Sequence, residues 1–400
     1  MVLRRCLLVI IFLFTTPLYA FSNLIVFGDS LSDVGNFPET IYPFKNPDAA
    51  KIVSNTNSQF YVPFSNPVDT NSKPPESYSA WPAINELYAE DQVVIFPSKS
   101  NRKYRSFSWA QFFLEAAKES HSTQATELVP SVLLNQRIVP ENFSYDYAWG
   151  FATSDSGCTN PQYRSIGHCT EDEINAARAK YLKTFSLQDY QQLLIPGVQQ
   201  QVNFFINDIK TQKIVVDHDT IYVFYIGGND LIIAGNALEK HYNPFPAFKL
   251  ILGLTASHVM SAVSDLLSNI PKDQHPKVIY VFNQFNPAIT PGYYHKPISN
   301  LAGMIIDPIN FWLTARANIH NWFSNTKIKI ITISDFYENA AKLDYYKNNL
   351  GKACMIDNGS YTNPVSIPRN NCAGYIFWND VHPSSDMNAM IGSKFFKVAF

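Results

Sequence analysis

Apolar runs alternate with longer segments of helical periodicity along most of the chain. Four runs predict strands, at 23–27, 219–226, 277–282 and 328–333, and a shorter apolar piece covers 145–152. The run at 219–226 is continuous enough for a strand buried on both faces. Elsewhere, bulky apolar residues recur at spacings of three and four. This pattern predicts helices near 79–90, 106–118, 187–210, 246–269, 309–323 and from about residue 385. The one at 187–210 is interrupted or entered at Pro196-Gly197. Such alternation indicates a parallel sheet with helices on both faces.

We therefore predict an α/β fold, with one three-layer α/β/α domain over residues 21–400 and a mainly parallel five-stranded sheet. Two stretches interrupt the alternation. The segment near 37–75 is rich in Pro, Asn and Ser, and the segment near 154–184 contains two cysteines and one short helical pattern. Because the sheet continues on the far side of each, we interpret both as insertions in one domain.

Residues 1–20 have the pattern of a secretory signal peptide. Arg4 and Arg5 precede an apolar core at 7–14, and Ala20 is a suitable last residue before cleavage. The apolar run is short for a membrane span, which needs about 20 residues. An uncleaved anchor remains the alternative. We predict export, to the periplasm or to the medium.

The charge and composition of the chain indicate which kinds of partner it can bind. The formal net charge is -2 and no basic block occurs, so nucleic acid is not expected as a partner, and no stable protein partner is predicted. Aromatic residues make up 14% of the chain. They can form an aromatic-rich core or an apolar surface for substrate, and both interpretations stay open.

Four cysteines remain if residues 1–20 are removed. An even count in an exported chain suggests disulfides. We favour the pairs Cys158–Cys169 and Cys354–Cys372, because each brackets one short loop-like segment. No Cys-x-x-Cys or His-rich spacing suggests zinc, so no metal site is predicted.

Residues with catalytic potential lie at predicted strand ends, and these ends meet at one edge of a parallel sheet. Ser30 follows the first apolar run in a Gly-Asp-Ser turn. A serine hydroxyl is a poor nucleophile until a base takes its proton. His382, in the loop before the last helix, is the candidate base, and Asp380 or Asn379 can orient its imidazole.

The same edge offers donors for a developing oxyanion. Asn229 follows the 219–226 run and can donate its side-chain amide. The backbone N–H groups of Ser30 and Gly150 can add two more. Such donors matter, since removing one from a hydrolase typically costs about 10²–10³ in rate. Each segment alone also fits an ordinary turn, and only their combination predicts an active site.

Four blocks, in this order, carry a resemblance to a known family. They are Gly-Asp-Ser-Leu-Ser-Asp-Val-Gly-Asn at 28–36, Tyr-Ala-Trp-Gly at 147–150, Gly-Gly-Asn-Asp at 227–230 and Asp-Val-His-Pro at 380–383. The chain resembles the GDSL family of the SGNH hydrolase superfamily over nearly its whole length after residue 20. The segment 283–291, ending Ile-Thr-Pro, also resembles a family segment.

The resemblance implies a five-stranded sheet of flavodoxin-like order and Ser-His-Asp catalysis without metal or organic cofactor. Within the family, the chain is most similar to exported bacterial phospholipase A/lysophospholipase and glycerophospholipid:cholesterol acyltransferase-like members. Those enzymes hydrolyse lipid acyl esters, and some transfer the acyl chain to an alcohol. The implied partners are a lipid ester, an alcohol acyl acceptor and, transiently, a membrane surface.

Two positions depart from the family pattern. Asp146 stands where the glycine block usually has Asn, which we expect to alter a structural hydrogen bond. The family places Asp three residues before the histidine, where this chain has Asn379. Asp380, two residues before it, can orient His382 after a small loop shift. Alternatively, Asn379 does so through its amide oxygen, or an acceptor comes from elsewhere.

The sequence thus predicts an exported serine hydrolase of lipid esters. One alternative is a carbohydrate or short-chain ester deacetylase, since the superfamily contains both. An alternative of another class is a non-catalytic lipid- or glycan-binding protein on this fold. The Cys158–Cys169 segment follows Gly150 closely, so it is either a lid over the cleft or a stabilising staple.

Overall fold

The computed structural model describes residues 21–34, 36–37, 108–125, 128–134, 143–159, 167–184, 193–296, 298–353, 374–377 and 380–400. Several predictions fall wholly or partly on residues outside these ranges. They include the signal peptide at 1–20, nearly all of the insertion near 37–75, the helix near 79–90, the first residues of the helix at 187–210, the Cys354–Cys372 pair and Asn379.

The strands are, in chain order, β1 (Leu24–Gly28), β2 (Leu128–Pro130), β3 (Ser144–Asp146), β4 (Cys158–Thr159), β5 (Ile195–Pro196), β6 (Ile221–Tyr225), β7 (Val278–Phe282) and β8 (Lys327–Ile331). Six of them form one parallel sheet in the order β2-β3-β1-β6-β7-β8. Strands β4 and β5 form a small antiparallel pair. Strand β1 therefore lies inside the sheet, between β3 and β6.

The sheet has one strand more than predicted. Strand β2 was missed because its three residues, Leu-Val-Pro, are too few to show a period. It lies at the edge of the sheet, where Pro130 can end a strand because proline has no N–H for a further ladder bond. Without β2, the order is the flavodoxin-like 2-1-3-4-5 that the sequence predicted.

The helices are α1 (Trp109–Glu119), α2 (Glu171–Thr184), α3 (Val198–Lys210), α4 (Gly228–His241), α5 (Phe245–Ile251), α6 (Leu254–Asn269), α7 (Ile298–Phe323), α8 (Ile333–Lys342), α9 (Asp344–Lys347) and α10 (Ser385–Ala399). They cover both faces of the sheet. Ile25 and Phe27 of β1 lie in a core with α3, α6 and α7, whereas Leu24 and Val26 lie in a second core with α1, α8 and α10. Side chains alternate between faces along a strand, so each core takes every second residue of β1.

Helix α3 is entered after Pro196-Gly197, as the sequence allowed, the predicted 246–269 helix is divided, and α4, α8 and α9 were not predicted. Helix α3 begins at Val198 because Gly197 must approach the preceding loop, where a Cβ would lie 2.3 Å from the Asp155 carbonyl oxygen. The segment 246–269 is divided into α5 and α6 at Gly253, whose φ of +86° belongs to the left-handed region.

Candidate active site

Strand β1 ends in a glycine that no other residue can replace without backbone movement. A Cβ on Gly28 would lie 2.4 Å from the Tyr225 carbonyl oxygen of the neighbouring strand. The buried side chain of Gln201 on α3 binds both backbone groups of Gly28: its Oε1 accepts from the N–H at 2.9 Å, and its Nε2 donates to the carbonyl at 2.8 Å. The end of β1 is thereby held in place directly before Ser30.

Ser30 and His382 lie together although 352 residues separate them in the chain. The distance from His382 Nε2 to Ser30 Oγ is 2.8 Å, within hydrogen-bonding range. Desolvation of the imidazolium lowers the pKa of His382 to about 3, so the ring is neutral at pH 7. A neutral imidazole beside a serine hydroxyl can accept its proton.

The His382 loop is held at Ser384, two residues after the histidine. The Ser384 N–H donates to the Ile376 carbonyl at 2.8 Å, and the Ser384 hydroxyl donates to the Tyr375 carbonyl at 2.6 Å. Ser384 also caps α10 by accepting the Met387 N–H. These contacts fix the loop that carries the imidazole at the start of a core helix.

Of the two residues predicted to orient His382, the structure describes only Asp380. Asp380 is exposed, and its carbonyl oxygen accepts the Gly292 N–H at 2.8 Å. Asn379 lies outside the described ranges. Which of them orients the imidazole therefore stays a prediction.

Asn229 is buried in the first turn of α4, immediately after β6, the strand paired with β1. Its Nδ2 donates to the Ala152 carbonyl at 2.8 Å. A side-chain amide carries two N–H groups, so this contact uses one and leaves the donor capacity of the other for a ligand. Gly227 precedes the helix with a φ of +124°, a conformation that favours glycine.

Asp29 connects the Ser30 turn to the Asn229 turn. This buried carboxylate accepts the Leu31 N–H at 3.1 Å and lies beside Gly228, where a Cβ would be 3.5 Å from Asp29 Oδ2. The backbone N–H groups of Gly227 and Gly228 also favour its charged form. Burial raises the pKa of Asp29 to about 7, and the nearby Asp230 carboxylate adds to the effect. The two turns that carry candidate catalytic groups are thus joined directly.

The predicted role of Gly150 conflicts with its contact in the structure. The Gly150 N–H donates to Asp33 Oδ2 at 2.6 Å, and the same carboxylate accepts the backbone N–H groups of Asn36 and Phe37. A hydrogen bond to a carboxylate is stronger than one to a neutral carbonyl. The Gly150 N–H is therefore committed to holding the 28–36 block, and we correct its assignment from oxyanion donor to structural donor.

Strand pairing explains the direction of the Gly150 N–H. The N–H groups of Tyr147 and Trp149 donate to the Val26 and Gly28 carbonyls of β1. Because successive N–H groups along an extended chain alternate in direction, that of Gly150 points away from β1. The next residue, Phe151, has a φ of +66°, which is uncommon for a side chain of this size and marks a sharp turn.

Asp146 makes the structural hydrogen bonds expected at the first departure from the family pattern. Its Oδ2 accepts the Val34 N–H at 2.8 Å and its Oδ1 accepts the Ala148 N–H at 3.0 Å. The Asn36 amide donates to the Asp146 carbonyl at 2.7 Å. Burial, with the neighbouring Asp33 charge, raises the pKa of Asp146 well above its usual range.

Sequence reasoning missed a second serine–histidine pair beside the site. The Ser154 hydroxyl donates to Asp230 Oδ1 at 2.6 Å, and His258 Nδ1 lies 3.1 Å from Ser154 Oγ. Since the hydroxyl proton goes to Asp230, His258 Nδ1 is the donor to Ser154. This chain anchors the first turn of α4, and so Asn229, to the loop after Gly150.

The sequence contained signals for two other residues that hold the site, Gln201 and Asp33. Gln201 interrupts the apolar stripe formed by Val198, Val202 and Phe205 on α3, and a polar residue on a buried face needs a hydrogen-bond partner. Asp33 belongs to the same block as Ser30. Their partners, Gly28 and Gly150, are distant in the chain, so no local pattern identifies these contacts.

The insertion after Gly150 is tied down at its base. Cys158 and Cys169 form a disulfide, and Gly197 at the start of α3 donates its N–H to the Gly157 carbonyl at 2.8 Å. Strand β4 pairs with β5 at the same place. The disulfide closes the loop, and the Gly197 hydrogen bond with the β4–β5 pairing holds it against the amino end of α3.

Within the described ranges, no three His, Cys, Asp or Glu side chains are grouped in an arrangement that could hold a metal ion. No curated protein sequence matches the chain. The family model of the GDSL-like Lipase/Acylhydrolase matches residues 24–395, which include Ser30, Asn229 and His382. The chain therefore belongs to the GDSL-like lipase/acylhydrolase family.

Proposed function

We propose that this protein is an exported serine ester hydrolase that acts on phospholipids or lysophospholipids through an acyl-enzyme. The observation that carries the proposal is the 2.8 Å contact between Ser30 Oγ and His382 Nε2 at the carboxyl edge of the sheet. Family membership supports a lipolytic or esterase-type hydrolase. The lipid substrate rests on the resemblance to exported phospholipases, and export rests on the predicted signal peptide.

In the acylation half-reaction, Ser30 Oγ bonds to the ester carbonyl carbon while its proton moves to His382 Nε2. The carbonyl electron pair moves to oxygen and forms an oxyanion. We assign the second N–H of the Asn229 amide and the backbone N–H of Ser30 as its donors, since Gly150 donates to Asp33. When the carbonyl re-forms, the bond to the leaving alcohol breaks and His382 returns the proton to that alcohol.

Deacylation repeats these steps with a different nucleophile. Water attacks the Ser30 ester while His382 takes its proton, and the products are a free carboxylic acid and the regenerated serine. If an alcohol such as a sterol attacks instead, the product is a new ester. Acyl transfer is therefore part of the proposal as a competing second step. Asp380 is assigned as the residue that orients His382, with Asn379 as the alternative.

The substrate class is tested by the products that the purified protein forms. We expect fatty acid release from lysophosphatidylcholine, sterol ester when cholesterol is present, and neither product with Ser30→Ala. The readout is lipid mass spectrometry, with an acetylated oligosaccharide assayed in parallel. Faster release of acetate than of fatty acid would favour the deacetylase. Lipid binding without turnover of either ester by the wild type would favour the non-catalytic binding protein.

The oxyanion assignment predicts the effect of removing the Asn229 amide. Asn229→Ala should lower kcat for a soluble short-chain ester by about 10²–10³-fold, since that donor acts mainly on the transition state. Asn236→Ala, a half-buried position on the same helix, is the matched control and should stay within a few fold. Melting temperatures separate catalysis from folding, because Asn229 also binds Ala152. Equal kcat for both variants would contradict the assignment.

A further inference from the structure

Large apolar side chains are exposed on and around α5, on the turn before it and on α7 as far as its midpoint. The six residues, each more than half exposed, are Tyr242, Phe245, Phe248, Leu252, Met304 and Phe311. We call this set the apolar rim. Phe245, Phe248 and Leu252 recur at helical spacing along and just beyond α5, and Met304 and Phe311 are seven residues apart on α7, so each group shares one helix face. A patch of this kind marks an interaction surface.

The two parts of the apolar rim belong to one packed unit. Trp312 on α7 donates its Nε1–H to the Ile251 carbonyl at the end of α5, at 3.0 Å. Its ring also contacts Phe311, with centroids 5.4 Å apart. Gly253 lies so close that a Cβ there would be 2.7 Å from the Trp312 ring. Helices α5 and α7 therefore hold their exposed apolar side chains in a fixed relation.

The apolar rim lies at the same edge of the sheet as Ser30. Helix α4 starts directly after β6, and α6 starts beside the same point, since a Cβ on Gly227 would lie 3.0 Å from Thr255 Cγ2. The chain therefore starts α4 at the carboxyl edge of the sheet and returns to that edge, by way of α5, where α6 begins. On α7, Asn310 exchanges two 2.8 Å hydrogen bonds with the backbone of Gln284, two residues beyond β7. The turns of α7 before Asn310 thus extend past that edge.

Positive and negative side chains among the described residues are equal in number next to the apolar rim. Exposed Lys240 and Lys249 are offset by exposed Glu239 and Asp307, and Lys249 lies 4.8 Å from the centre of the Phe245 ring. Such a surface gains little from an anionic membrane, because that attraction depends on an excess of Lys and Arg. Aromatic side chains with a few lysines are typical of protein regions at a lipid–water interface. This chemistry fits a zwitterionic phospholipid layer.

We propose that the apolar rim docks the protein on the surface of a zwitterionic phospholipid layer and directs the Ser30 edge toward it. This inference deepens the proposed function and rests on it for the identity of the substrate. Among the described helices, no single one is long and apolar enough to cross a membrane. Helices α5 and α6 pass that test only together, with a bend of 58° between them. Val259, Val263 and Leu266 of α6 are buried in the protein core.

The test compares two sets of exposed apolar residues at opposite edges of the sheet. The rim variant carries Phe245→Gln, Phe248→Gln and Leu252→Gln. The control carries Trp322→Gln and Phe323→Gln, which are 78% and 86% exposed at the end of α7, near the amino end of β8. Both are made in a Ser30→Ala background, so that lipid is not consumed. Binding is measured by co-sedimentation with phosphatidylcholine vesicles at low and high salt.

We expect the rim variant to partition about tenfold or more weakly, because three apolar side chains no longer leave water. The control variant should bind as its parent does, and high salt should not release the protein. Equal binding by the rim variant and its parent, or equal loss in the control, would overturn the proposal. So would binding only to anionic vesicles, or loss of self-association in size-exclusion chromatography with vesicle binding unchanged.

A second readout separates failure of docking from failure of the proposed function. With Ser30 intact, the rim variant should hydrolyse a soluble short-chain ester at the parent rate and vesicle phosphatidylcholine more slowly. Absence of ester turnover in the parent contradicts the proposed function and leaves the binding result interpretable. Equal rates on vesicles for parent and rim variant contradict the docking role alone.

Discussion

Ser30→Ala and His382→Ala are each expected to lower kcat for ester hydrolysis by about 10⁶-fold, and the double variant should be no slower than either. The reason is that the two side chains perform one chemical step across a 2.8 Å contact. Without the hydroxyl there is no nucleophile, and without the imidazole its proton has no acceptor. In serine hydrolases, residues that act as such a unit show strongly non-additive effects.

A matched control exists in the same molecule. Ser154 and His258 form a second serine–histidine pair at 3.1 Å, but the Ser154 hydroxyl donates to Asp230 and is not available for attack. Ser154→Ala and His258→Ala should therefore reduce kcat by less than about tenfold, through the position of Asn229 alone. The measurements are steady-state kinetics on a soluble ester and melting temperatures. Additive losses for Ser30 and His382, or a larger loss at Ser154, would exclude the assignment.

The second large effect is expected at Asp380, whose substitution by alanine should lower kcat by about 10⁴-fold. A carboxylate beside the imidazole selects its reactive tautomer and stabilises the imidazolium that forms when Ser30 attacks, and losing it costs about this much in serine triads. Asp380 is our first choice because it has a carboxylate, which can stabilise the imidazolium better than the neutral Asn379 amide. Asn379→Ala should change kcat far less.

Asp380→Asn supplies the discriminating control, since it keeps the side-chain shape and removes the charge. A large loss for both Asp380 variants indicates an electrostatic role, and a loss only for alanine indicates positioning. If Asn379→Ala is the slower variant, Asn379 orients His382 through its amide oxygen. If neither substitution changes kcat while melting temperatures stay constant, the orienting acceptor comes from elsewhere in the chain.

The parallel sheet was predictable because β1, β6 and β7 are continuous apolar runs, and burial on both faces of a strand demands such runs. The edge strand β2 was not, since three residues carry no period. The helix predicted at 187–210, with an interruption or entry at Pro196-Gly197, is observed from Val198, and Gly197 lies close to the Asp155 carbonyl. That close approach is a tertiary contact, and periodicity within the helix contains no trace of it.

For the candidate site too, some features were predictable from the sequence and others required the tertiary structure. The sequence alone determined the residues with catalytic potential, Ser30, Asn229 and His382, because the chemistry restricts which side chains can serve and the blocks that carry them are short and distinctive. Only the tertiary structure decided how each is held. It assigned the Gly150 N–H to Asp33, placed Gln201 on Gly28, and joined the turns through Asp29. Hydrogen bonds between distant segments depend on direction and distance in space, which residue order does not encode locally.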